Sequence, residues 1–159
     1  MKHRIQWKPL LLSLALPLAT GGFSAFLTKD GMRAFSALRQ PPLSPPAWLF
    51  PVVWTLLYLM MGLASYLVYV SGASDPRRGR ALTVYGLSLA ANFLWPILFF
   101  TVQAWLWAFL LLLVLWVLVA ATSLLFGAIE PKAGRLMIPY LLWLSFAAYL
   151  NLGVWLLNR

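Results

Sequence analysis

Charged residues are so sparse along this chain that they mark its organisation. Lys8 and Lys29 bracket an apolar stretch at 9–28, Arg39 and Asp75 bracket 40–74, Arg80 and Glu130 bracket 81–129, and Arg135 and Arg159 bracket 136–158. A helix rises about 1.5 Å per residue, so about 20 apolar residues cross a hydrocarbon core of about 30 Å. The first and last stretches hold one such helix each. The second holds one after its opening proline cluster, and the third has 49 uncharged residues, so it must fold back once. Thr101 and Gln103, next to Trp105 and Trp107, mark the interfacial turn. The pattern predicts an all-α membrane protein, a five transmembrane helix bundle with helices near 9–28, 47–70, 81–101, 105–127 and 135–157. The whole chain, 1–159, reads as one domain, with a proline-rich lid loop at 29–46.

Composition agrees. Hydrophobic residues make up 63% of the 159 and charged residues 9%, against about 45–50% and about 25% in soluble domains. One small core cannot hide that much apolar surface, which excludes an ordinary soluble domain. Met1–Pro9 is basic and Leu10–Ala19 apolar, as in a signal peptide, but no small-x-small cleavage site follows, and the segment reads as a retained first helix. Pro17 should kink it. With five spans, Lys2, Arg4, Lys8, Arg77, Arg78, Arg80, Lys132 and Arg135 share one side, and Lys29, Arg33, Arg39 and Arg159 the other. The positive-inside rule then places the N-terminus in the cytoplasm if the membrane is a bacterial inner membrane. The net charge of +9 is thus topological, suited to anionic membrane lipid rather than nucleic acid.

Little chemistry is available. There is no cysteine, and Asp30, Asp75, Glu130 and His3 all fall in predicted loops or the N-tail. With no ionisable residue expected inside a span, proton relays, carboxylate-coupled transport and intramembrane metal sites lack their groups. No required cofactor and no metal site is expected. Asn92 and Asn151 are the main intramembrane polar groups. They serve either as interhelical hydrogen bonds, worth about 0.6–2 kcal/mol each, or as polar points in a ligand cavity.

What the chain has instead is nine tryptophans. Trp7, Trp48, Trp105, Trp107 and Trp155 lie near span ends, where tryptophan anchors at the interface. Trp54, Trp95, Trp116 and Trp143 are deeper, and either pack the core or line a flat aromatic cavity. Helical spacing puts Trp54, Tyr58, Met61 and Ser65 on one face, Ser88, Asn92, Trp95 and Phe99 on another, and Tyr140, Trp143, Ala147 and Leu150 on a third, with Phe146 beside them. The loop Arg39–Pro46 carries four prolines, which preset its backbone, and Gly31–Leu38 before it is a short amphipathic segment, suited to cover the bundle mouth or simply a surface loop.

Several motifs in order carry a resemblance. One is Pro139-Tyr140-x-x-Trp143-x-x-Phe146-Ala147-x-x-Leu150-Asn151, and another Pro45-Pro46-x-x-x-Phe50-Pro51-x-x-Trp54-Thr55-x-x-Tyr58-x-x-Met61. Asn92-x-x-Trp95 with Phe99-Phe100, and Trp116 with Ala120-Ala121-Thr122, support them. Together they resemble the tryptophan-rich sensory protein and translocator protein family over nearly the whole chain. The resemblance implies a five-helix bundle, often a homodimer. It implies a pocket for porphyrins such as protoporphyrin IX and haem, or for synthetic isoquinoline and benzodiazepine-type ligands. Carried over, that pocket includes Trp54, Asn92, Trp95, Trp143, Phe146, Ala147 and Leu150, under a lid shaped by Pro41, Pro45 and Pro46. Tyr58, Ser88 and Phe99 join it from the helix faces and Phe35 from the lid. The implied role is sensory or regulatory, with porphyrin transport as one alternative. Light-dependent porphyrin degradation is another, associated in bacterial relatives with tryptophans matching Trp54 and Trp143. With no acid–base residue in the spans, the enzyme reading ranks last.

Departures from the family pattern are Ala34, Pro42 and Leu43 where aromatics are common, Phe35 for a tyrosine, and Ser88 for a larger amide. The cholesterol-recognition motif of animal relatives needs a tyrosine and then a basic residue. The matching positions here are Leu152 and Leu156, with no cation before Arg159, so the resemblance does not carry cholesterol binding to this chain.

Overall fold

A computed structural model describes residues 5–159; Lys2, His3 and Arg4 lie outside the described residues. The chain forms helices α1 (Trp7–Phe35), α2 (Leu49–Tyr69), α3 (Asp75–Pro96), α4 (Trp105–Ile129), α5 (Pro131–Leu136) and α6 (Ile138–Asn158), with a π-helical turn at Ile97–Thr101 after α3. The π-turn continues α3, and α5 leads into α6, so among the described residues there are five helical segments long and apolar enough to cross a membrane.

Three boundaries differ from the sequence expectation. The first helix does not stop at 28; it runs to Phe35 and absorbs Lys29, Asp30 and Arg33. At 29 residues it is about 44 Å long, so it outreaches a core of about 30 Å and its last turns can carry charge. The separate lid segment at Gly31–Leu38 is therefore mostly the end of α1, and the connecting loop starts at Ser36 rather than 29. The third helix begins at Asp75, with Pro76 in its first turn, so Arg77, Arg78 and Arg80 are helical rather than in a loop. An i,i+3 ion pair, Asp75–Arg78, sits in that turn, and Asp30–Arg33 repeats the spacing at 3.7 Å at the end of α1. Finally, the span expected at 135–157 is broken at Met137. Pro139 has no N–H to donate to the Arg135 carbonyl, and the chain restarts with Leu141 N–H donating to the Met137 carbonyl at 3.2 Å.

Pro17 likewise leaves the Ser13 carbonyl of α1 without its helical donor. Gly62 of α2 lies over it: a Cβ there would sit 2.7 Å from the Ser13 oxygen. The missing side chain lets the two backbones meet where the carbonyl is free, and α1 packs closely on α2, with its later turns against α3 and the π-turn. The third and fourth spans also pack closely, as do α4 and α6. By contrast, the backbones of α2 and α6 stay apart, as do those of α3 and α6. The turn between the third and fourth spans falls at Val102–Ala104, where Gln103 takes φ 57° and Val102 N–H donates five residues back, to the Ile97 carbonyl at 2.9 Å.

Candidate functional site

The gap between α2 and α6 is bridged by aromatic rings. On one side Trp54 stacks on Tyr58 with centroids 5.6 Å apart and meets Tyr140 edge-on at 6.0 Å. On the other, Trp143 meets Phe50 edge-on at 6.0 Å and Phe146 at 5.6 Å, and Phe146 stacks on Tyr149 at 6.1 Å. Trp54, Tyr58, Trp143 and Phe146 are half-buried, Ala147 is buried and Leu150 half-buried. These residues come together as their helical spacing requires.

Asn92 is the polar centre. Its Oδ1 accepts from the Tyr58 hydroxyl at 2.9 Å, and its Nδ2 donates to the Tyr140 hydroxyl at 2.8 Å, tying α3 to α2 and α6. A Cβ on Gly21 would overlap the Tyr58 ring, so α1 leaves room for that tyrosine only because the position is glycine. Of the two sequence readings for Asn92, the interhelical bond is the one the geometry displays. Asn151 does the same work: its Oδ1 accepts from Trp95 Nε1 at 3.0 Å, and its Nδ2 donates to the Trp105 carbonyl at 2.8 Å.

Trp95 and Phe99 form a second aromatic group. They stack at 5.5 Å, Phe100 sits edge-on to Phe99 at 4.9 Å, and Phe35 packs on both phenylalanines at 5.5 Å. This group gathers on the π-turn at Ile97–Thr101, an irregularity that recurs at functional sites. It touches the end of α1 through Phe35 rather than the Trp54 and Trp143 rings. Ser88 is fully buried and donates to the Tyr85 carbonyl of its own helix at 2.6 Å, so its hydroxyl is already used. Trp116, expected deep, lies on the outer face of α4, 40% exposed, with Nε1 donating to Ser145 Oγ at 3.0 Å. It is no part of the cluster.

One polar atom in the cluster stands out. Trp143 Nε1 is buried with no hydrogen-bond partner among the described residues. Buried indole N–H groups normally find one, and an orphan costs about 1–3 kcal/mol.

The connection from α1 to α2 lies against α6. Pro41 is buried, with its ring on Gly153. Pro42 offers its carbonyl to the Tyr149 hydroxyl at 2.7 Å. Asn158 holds Arg39 by both backbone groups: Oδ1 accepts from its N–H at 3.0 Å and Nδ2 donates to its carbonyl at 2.8 Å. Pro45 is half-buried and Pro46 exposed, which gives them a smaller part in this seat than Pro41. Sequence reasoning missed Asn158, since nothing local ties a C-terminal asparagine to a backbone 119 positions away. It quoted Tyr140 and Phe50 in motifs without placing them in the site. Neither of two surface cavities coincides with this cluster. One of about 700 Å³ runs between α1 and α3 along Phe23, Gly86, Ala90 and Phe93, and one of about 360 Å³ lies where α4, α5 and α6 meet.

The sequence pattern of the TspO/MBR family matches residues 13–156. This chain belongs to the TspO/MBR family. It is 36% identical to a translocator protein of Ovis aries over 156 residues, covering 96% of this chain and 92% of that one. It is 35% identical to a tryptophan-rich protein TspO of Chlorobaculum tepidum over 158 residues, or 99% of both chains. A tryptophan-rich sensory protein of Cereibacter sphaeroides is 36% identical over 154 residues, covering 97% of this chain and 94% of that one. The protein is therefore a multi-pass membrane protein of a family whose members carry sensory and translocator names.

Proposed function

We propose that this TspO/MBR protein binds a planar tetrapyrrole, protoporphyrin IX or haem, between α2, α3 and α6, and that binding serves a sensory or regulatory role. The observation that carries the reading is the unpartnered Trp143 Nε1 within an aromatic cluster that spans two helices whose backbones stay apart. A flat, apolar ring system has the shape to slide between such side chains, and a ring or carboxylate acceptor on it satisfies the orphan donor. The α2 rings already touch those of α6, so entry separates Trp54 from Tyr140 and Phe50 from Trp143. Titration of protoporphyrin IX into the protein in nanodiscs, read by porphyrin absorbance and tryptophan quenching, tests this. Trp143→Ala and Trp54→Ala should each weaken binding about tenfold or more, the cost of one lost stacking surface. Unchanged affinity in both sinks the assignment.

The same preparation separates the alternatives. Flux of porphyrin into sealed vesicles favours transport, and oxygen-dependent loss of porphyrin absorbance under illumination, abolished by Trp143→Phe, favours degradation. The homodimer is proposed on the family resemblance, with exposed Gly86 and Ala90 on α3 offering a surface where a second copy can approach closely. A cytoplasmic N-terminus is proposed from the arginine and lysine balance and is checked by reporter fusions at either end.

A further inference from the structure

The end of the bundle that carries the N-terminus of α1 holds a second feature, distant from the aromatic cluster. There α5 folds back on α4 almost backbone to backbone. A Cβ on Gly134 would lie 2.6 Å from the Gly127 Cα and 2.8 Å from the Ser123 carbonyl oxygen, and Ser123 Oγ donates to the Gly134 carbonyl at 3.0 Å. This close approach leaves a notch of about 360 Å³ between α4, α5 and the start of α6. Its wall is apolar and exposed: Leu124 is 77% exposed and Ile138 45%.

Its rim is cationic. Arg135 lines the notch, and apart from a 3.4 Å contact from its Nε to the Pro131 carbonyl its guanidinium has no partner among the described residues. Lys132 is exposed one turn away. Arg77 reaches across from α3 to donate to the Ala128 carbonyl at 2.7 Å, which brings a third cation to the same helix end. The nearby carboxylate in sequence, Glu130, is engaged as the cap of α5, accepting from Lys132 N–H at 3.2 Å. The ion pairs among the described residues are Asp30–Arg33 and Asp75–Arg78, so Arg77, Lys132 and Arg135 form none, and these three cations outnumber the one carboxylate, Glu130, at this helix end.

An apolar wall facing lipid under a rim of unpaired cations at headgroup level is complementary to one kind of molecule. We propose that the notch is a binding site for an anionic phospholipid, with its phosphate at Arg135 and Lys132 and an acyl chain along Leu124 and Ile138. A neutral, zwitterionic lipid matches the wall but brings no net charge to the rim. This site is independent of the tetrapyrrole reading.

The test is competition between phosphatidylglycerol and phosphatidylcholine of the same acyl chains, offered in equal amounts to the detergent-purified protein and read as lipid adducts by native mass spectrometry. The expected result is retention of phosphatidylglycerol about fivefold or more over phosphatidylcholine, the scale set by one to two cations near a headgroup. The ratio should fall to near unity in the Lys132→Gln, Arg135→Gln double variant and be kept in Lys132→Arg, Arg135→Lys. Circular dichroism melting shows whether each variant is folded, and the charge-retaining pair carries the comparison if the neutral pair is not. Equal retention of the two lipids by the unmodified protein overturns the proposal. So does a preference that survives loss of both cations, or a notch covered instead by a second copy, seen as cross-linking through Arg135 with no lipid preference.

Discussion

Asn92 shows what a single polar residue does in this bundle. Its amide satisfies the buried Tyr140 hydroxyl and that of half-buried Tyr58, from two other helices. Asn92→Ala removes both bonds and strands both hydroxyls, whereas Ser88→Ala deletes one hydroxyl that bonds only within its own helix. Leaving a buried polar group unpaired costs about 1–3 kcal/mol, so Asn92→Ala should lower the unfolding midpoint in detergent clearly and Ser88→Ala little. Equal losses would contradict the cross-link. Gly21→Ala should behave like Asn92→Ala, because it displaces the Tyr58 ring; the added Tyr58→Phe change should not rescue it, since the clash is with ring atoms. At this scale the sequence was informative where a motif fixed a residue by spacing. Asn92, Trp54 and Trp143 sit on the faces that a helical repeat assigns them. What spacing cannot reveal is whether an amide is already satisfied. The spacing that singled out Ser88 was right about its face, yet its hydroxyl turns back to its own helix.

Among the elements, charge was read as loop and was in fact helix. Lys29, Asp30 and Arg33 ride on the last turns of α1, and Asp75 through Arg80 on the first turns of α3. A helix can outgrow the hydrocarbon core once its ends reach water, and only the length of the apolar run, not of the helix, is written in hydropathy. The carbonyl freed by Pro17 has its counterpart in another element, since Gly62 of α2 covers the Ser13 oxygen. Gly62→Ala should push the helices apart there and destabilise the bundle by about 1–3 kcal/mol, the range for overpacking, measured as a lower unfolding midpoint. The strap between α1 and α2 rests on long-range backbone contacts that no local pattern announces. Asn158→Ala deletes both hydrogen bonds to Arg39. Amide exchange across 36–47 should then quicken while exchange in α2 and α4 stays as it was; exchange spread evenly through the protein would mean that Asn158 is a general packing residue instead.

For the whole molecule, the arrangement of helices explains why tryptophan is so abundant. Helices that pack closely, such as α1 on α2 where Gly62 meets the α1 backbone and Gly21 takes the Tyr58 ring, need small residues at the contact. The faces of α2 and α6 that stay apart need large ones, and Trp54, Trp143, Phe50 and Phe146 fill that space while the strap from α1 to α2 lies against α6. A ligand reaching the cluster from the side of the strap must lift it off Gly153 and Tyr149 or bypass it. The absence of cysteine makes that question testable, since an introduced pair has no competitor. In Pro41→Cys, Gly153→Cys the Cβ atoms start 2.6 Å apart by the present backbone and need to separate to about 3.8 Å for a disulfide, a shift within reach of a loop. The oxidised protein should take up protoporphyrin IX about tenfold more slowly than the reduced one, with both reaching the same plateau if the bound state leaves the strap in place. A lower plateau that recovers on reduction would mean that the bound state itself needs an open strap. Equal uptake rates in the two forms would show that the ligand enters from the bilayer, between α2 and α6, and that the strap only stabilises the fold.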